Sequence, residues 1–108
     1  MNKILLILFL AFSLSANAQI VVTQFNAEWN AANTVDWLDK LSDCDVAIVD
    51  IGKEVKLQQK HKIVIVPTIV IFKDGEEIKR FQADLSFKML ATRKDLQGVI
   101  DELIMSDF

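Results

Sequence analysis

Apolar residues recur along this chain in short β-branched runs and one long helical stripe, and their spacing predicts the elements in order. Ile20 to Phe25 reads as a buried strand, and Val46 to Ile51 as a second apolar strand. Between them, Val35, Leu38 and Leu41 fall at i, i+3 and i+6. That spacing predicts a helix from about Ala31 to Leu41, with Trp37 beside its apolar face and Asn30 and Asn33 as candidate N-caps. Lys53 to about His61 predicts a short polar helix with Val55 and Leu57 as its few apolar contacts. A strand, a helix and a strand joined by short loops make a parallel pair through a right-handed crossover.

The most apolar stretch, Ile63 to Phe72, is interrupted by Pro67, which cannot sit inside a central ladder. The strand is therefore expected to start just after it. Asp74-Gly75 between apolar runs signals a two-residue hairpin, with Glu77 to Gln82 as the half-exposed return strand. Ala83 to Ala91 lacks periodicity and reads as a long connection whose Leu85, Phe87, Met89 and Leu90 pack locally. Thr92-Arg93-Lys94-Asp95 resembles a capping box with aspartate in place of glutamate. Beyond it, Leu96, Val99, Ile100, Leu103 and Ile104 form a full amphipathic stripe, so a terminal helix covers one face of the sheet. The expected architecture is α/β, a central mixed four-stranded sheet flanked by about three helices.

Length and charge add a targeting segment to this picture. Of the 108 residues, the first eighteen read as a cleaved secretory signal: Lys3, an apolar run from Ile4 to Leu14, and Ala16-Asn17-Ala18 as a small-x-small cleavage site. Eleven residues rise about 17 Å as a helix, too short for the roughly 30 Å hydrocarbon core of a bilayer. Residues 19–108 are then a single domain, expected in the periplasm or outside the cell, with no integral membrane segment of its own. Lys3 is one of 12 basic residues, which leaves 11 against 15 acidic ones in that domain. A mildly acidic balance with no basic cluster argues against nucleic acid and anionic membranes as partners.

Candidate chemistry is sparse. Cys44 is the only cysteine, so an internal disulfide is impossible and a free thiol is expected. Asp43 and Asp45 flank it and would raise its pKa. His61, the only histidine, ends the polar helix, where its charged form would meet the negative end of the helix dipole. One cysteine and one histidine make no zinc constellation, and no phosphate loop, serine nucleophile motif or paired-carboxylate signature is present. No metal and no cofactor are expected.

The element order and several local matches together resemble the thioredoxin family across residues 20 to 105. Phe25-Asn26-Ala27-Glu28-Trp29 resembles the family's lead-in to its redox site, Val66-Pro67-Thr68 its cis-proline loop, and Phe72-Lys73-Asp74-Gly75-Glu76 its hairpin. The resemblance places Asn30 and Asn33 where the family carries its two cysteines, Gln24 at its buried aspartate, and Ile48 where many members place a lysine. The family's additional first strand and helix are absent. Dithiol exchange needs an attacking thiolate and a resolving thiol, and an asparagine amide supplies neither.

These residues together imply an exported thioredoxin-like protein, inactive as a dithiol-disulfide oxidoreductase and acting as a peptide- or protein-binding module. By resemblance, Trp29, Asn30, Asn33, Val66, Pro67 and Thr68 would form the groove for an extended polypeptide or an envelope protein partner. The alternative is a redox protein working through the single Cys44 thiol. Against it, six strand residues at about 3.3 Å each put Cys44 on the order of 20 Å from that site.

Overall fold

The computed structural model describes residues 19–106, so the expected signal segment at 1–18 lies outside the described residues. Four strands form one sheet: β1 (Ile20–Asn26), β2 (Asp45–Asp50), β3 (Thr68–Lys73) and β4 (Glu76–Gln82). Their spatial order is β2-β1-β3-β4, with β1 and β2 parallel and the other two pairs antiparallel. Two α-helices, α1 (Val55–His61) and α2 (Arg93–Met105), and two short 3₁₀ segments, Glu28–Asn33 and Leu38–Lys40, complete the domain.

β1 lies inside the sheet and both its faces are covered, which is why all seven of its residues are buried, the polar Thr23, Gln24 and Asn26 among them. Alternation then divides the core. Ile20 and Val22 join Ile69, Ile71, Val35, Leu38, Leu96 and Ile100 on one face. Phe25 joins Val49, Val70, Phe72, Ile63 and Val66 on the other. α2 closes the first face. Its expected capping box is complete, Asp95 N–H donating to Thr92 Oγ1 and Thr92 N–H to the Asp95 carboxylate, and Leu96 and Ile100 are fully buried.

The β3–β4 hairpin turns on Asp74 and Gly75, both at positive φ (52° and 84°), as the tightest right-twisted hairpins require. β3 begins at Thr68, directly after the proline. α1 starts at Val55, two residues later than its polar pattern suggests, and none of its residues is fully buried.

His61 departs from its expected role. Its ring lies between Phe25 and Phe72, with centroids 5.5 and 5.2 Å away. Burial pushes its pKa below the ordinary 6.5; Lys60 and Arg80 push the same way, and Glu77 opposes them. The cation at the carboxyl end of α1 is Arg80 instead, whose guanidinium donates to the carbonyls of His61 (2.7 Å) and Lys62 (3.4 Å) while paired with Glu77. Because the folded state holds His61 neutral, the unfolded chain binds more protons just below pH 6.5. Stability is therefore expected to fall as pH drops through that value and to level off once the folded-state pKa is passed. Urea titrations of wild type and His61→Gln across this range test it: the wild-type slope should be absent from the variant.

Candidate functional site

β1 ends at Asn26 and the chain turns at once into the 3₁₀ segment Glu28–Asn33, the stretch that the resemblance aligns with a redox site. Neither Asn30 nor Asn33 caps it. The N-cap is Ala27, which offers no side-chain bond.

The helix expected from Ala31 to Leu41 does not form as one element. Residues 34 to 37 lie between two 3₁₀ segments, and Thr34 is extended. The cause is Gln24. Its buried carboxamide accepts from the Val35 N–H at 2.8 Å and donates to the Val35 carbonyl at 3.2 Å, taking both groups that a helix would use. Val35 and Leu38 still reach the core and Leu41 packs at its edge. Their i, i+3, i+6 spacing repeats every three residues, which is the 3₁₀ period rather than 3.6.

Four amide and hydroxyl side chains then close a network. Asn30, buried, donates to Asn26 Oδ1 (3.1 Å) and to the Val66 carbonyl (3.3 Å), and its own oxygen accepts from Asn33 Nδ2 (2.9 Å). Asn26 in turn donates to the Asn30 carbonyl and to Thr34 Oγ1. Each group of this network is neutral, and none is an effective nucleophile. The positions aligned with the family's two sulfurs are thus bonded to one another. Gln24, aligned with its proton-handling acid, is committed to Val35, and Ile48, the β2 residue paired with it, carries no charge.

The other side of the site is the turn before β3. The Val66–Pro67 peptide bond is cis. Thr68 Oγ1 donates to the Ile65 carbonyl, and Ala83 N–H donates to the Pro67 carbonyl, so the loop after β4 leaves from this turn. Of the six expected groove residues, Trp29 is 68% exposed and Asn33 half-buried, while Asn30, Val66, Pro67 and Thr68 are buried beneath them.

Phe87 belongs to this surface and sequence reasoning did not place it there. Its ring stands edge-on to Trp29 with centroids 5.1 Å apart. Asp84 organises the loop that carries it, accepting from Ser86 N–H and Oγ and from Lys88 N–H; these bonds, that from Ser86 first, hold the carboxyl below its ordinary pKa. Phe87 itself sits at φ 66°, an uncommon conformation for a bulky residue and one that surrounding contacts must hold. Leu85 and Leu90 in the same loop are exposed, at 93% and 71%. The available signal was an aperiodic connection with four large apolar residues, of which only Met89 packs against the core while Leu85, Phe87 and Leu90 stay exposed.

Cys44 is remote from all of this. It precedes β2, whose Asp45 pairs with Val21 at the start of β1, whereas the Trp29 site lies beyond the end of β1. Burial, then Asp45 and Asp43, push its thiol up to about 11. At neutral pH its thiolate fraction is about one in ten thousand, too small for a competent nucleophile. Among the described residues no cluster of three or more potential metal ligands occurs, and no helix is long and apolar enough to cross a membrane.

No family model and no curated protein matches the chain. Solved structures do. The chain is similar to a mutant thioredoxin from Halobacterium salinarum at 25% identity, with a TM-score of 0.61 over 78% of this chain and 74% of that one. It is similar to a thioredoxin from Nicotiana alata at 18% identity, TM-score 0.64, over 94% and 86%. A mutant thioredoxin from Entamoeba histolytica matches at 22% identity, TM-score 0.61, over 91% and 92%. The fold is thioredoxin-like, and with a single cysteine the chain holds no dithiol.

Proposed function

We propose that this thioredoxin-like domain is an exported binding module for an extended polypeptide or an envelope protein, not a dithiol-disulfide oxidoreductase. The observation that carries the reading is Trp29, exposed and edge-on to Phe87, on the residue next to Asn30, whose side chain donates to the Val66 carbonyl of the Val66–Pro67 turn. Large exposed aromatic side chains held in fixed positions are the residues that dominate protein and peptide interfaces. Here they border a site whose asparagine side chains bond to one another and to nearby backbone carbonyls. A docked segment would meet Trp29, Phe87 and Asn33 directly, with Asn30, Val66, Pro67 and Thr68 supporting them from beneath. Since Val66 is buried and its carbonyl already accepts from Asn30, apolar side chains rather than that backbone acceptor would supply most of the affinity.

Titrating ¹⁵N-labelled protein with unfolded peptides tests this. Amide shifts are expected within residues 28–34, 65–68 and 85–90; their absence there would sink the reading. Trp29→Ala should weaken binding by about 10- to 30-fold while leaving the fold intact, because the indole is a surface group.

Export rests on Lys3, the Ile4–Leu14 run and Ala16-Asn17-Ala18. Protein recovered from outside the cytoplasm is expected to begin at Gln19, and a retained Met1 in that fraction would contradict the cleavage.

A further inference from the structure

A cleft of about 390 Å³ opens between the carboxyl ends of β1 and β2, and Trp29 forms part of its wall. Phe87 does not line it, so the indole borders two surfaces: the aromatic contact already described and this cleft. Glu28, Asp50, Ile51, Lys53 and Val55 are among the other lining residues. We propose that this cleft is a side-chain subsite for a lysine or arginine of the bound polypeptide, an inference that rests on the binding reading above and gives it a specificity.

Charge and shape both favour a cation. Asp50 Oδ1 accepts from the Gly52 N–H at 2.8 Å, which fixes the carboxylate at the cleft and leaves its second oxygen available to a ligand. Glu28 adds a second carboxylate on the residue next to the indole. Among the described residues, neither acid is ion-paired. A cation beside an indole gains from the ring's negative face, and the aliphatic stem of lysine or arginine can lie along apolar groups such as Ile51 and Val55. An apolar side chain would leave both carboxylates facing it, and an acidic one would be repelled. Lys53 is the opposing charge: it lines the same cleft without pairing with either acid, so removing its repulsion should strengthen cation binding.

The test uses fluorescently labelled extended peptides, identical except for one position carrying lysine, arginine, norleucine or glutamate, titrated against the purified protein at low and high salt. Lysine and arginine peptides are expected to bind about tenfold tighter than the norleucine peptide, with the preference shrinking in high salt. Glu28→Gln with Asp50→Asn should bring lysine and norleucine peptides to within about twofold of each other. Asparagine can still accept from the Gly52 N–H, and Glu28→Gln alone provides a milder variant should the turn be disturbed. Lys53→Gln should enlarge the lysine preference. Equal affinity for lysine and norleucine peptides, or a lysine preference unchanged by the acidic substitutions, overturns the subsite while leaving the binding module standing. Failure of every peptide to bind overturns both.

Discussion

Replacing Gln24 with leucine is expected to lower the unfolding free energy by about 2–4 kcal/mol, although the two side chains have similar volume. The carboxamide is fully buried and holds both backbone polar groups of Val35, a residue that is itself almost completely buried. Leucine would leave a donor and an acceptor without partners or water, and each such group forfeits its desolvation energy. For a domain of this size the midpoint of thermal unfolding should drop by about 10–20 °C. Gln24→Glu separates the hydrogen-bond explanation from a packing one. A buried carboxylate accepts from the Val35 N–H but faces the Val35 carbonyl, so its pKa must rise above the unfolded value. Its protonated form can donate to that carbonyl and restore both bonds. The glutamate variant should therefore be most stable below the unfolded glutamate pKa and lose stability as pH rises through the folded one. Denaturant titrations across pH would show it; a leucine variant as stable as wild type would remove Gln24 from its assigned role.

Phe25→Ala, one residue along the same strand and on the opposite face, should cost about 3–5 kcal/mol. The ring is 1% exposed within the second core cluster, and its neighbours Val49, Val70 and Phe72 sit on paired strands, which limits collapse into the space. Phe25→Leu, which keeps most of the volume, is expected to cost under about 1.5 kcal/mol. The loss of the ring also has an electrostatic signature. Phe25 forms one side of the His61 pocket, so water entering the vacated space should move the His61 pKa back toward its ordinary value. Tracking the imidazole resonances with pH in both variants checks this, since leucine should shift them less than alanine.

Periodicity and end signals made much of the fold legible. The terminal stripe with Thr92 and Asp95, the Asp74-Gly75 turn and the strand after Pro67 each rest on contacts a few residues apart, and each formed where expected. The candidate site was legible in one sense only. Asn30 and Asn33 at the sulfur positions exclude a dithiol, yet their bonds to Asn26 and Val66 could not be read from spacing. Phe87 was missed because its partner Trp29 lies on a distant element. His61 was assigned from its place on a helix, whereas Phe25 and Phe72 on two different strands set its environment.

The amino-acid sequence by itself determined the order of the strands, the terminal helix, the burial of β1 and the absence of a second cysteine, because side-chain alternation, turn chemistry and residue identity are local properties. Only the tertiary structure decided the path of the chain after β1. Val35, Leu38 and Leu41 direct an apolar face inward equally well as an α-helix or as 3₁₀ turns, and local propensity does not separate the two. Gln24 separates them by reaching across eleven positions to claim the Val35 peptide. That long-range bond fixes the backbone beyond Glu28 to Asn33, while Asn30 anchors the stretch itself to the Val66 carbonyl, and Trp29 is left at the surface against Phe87.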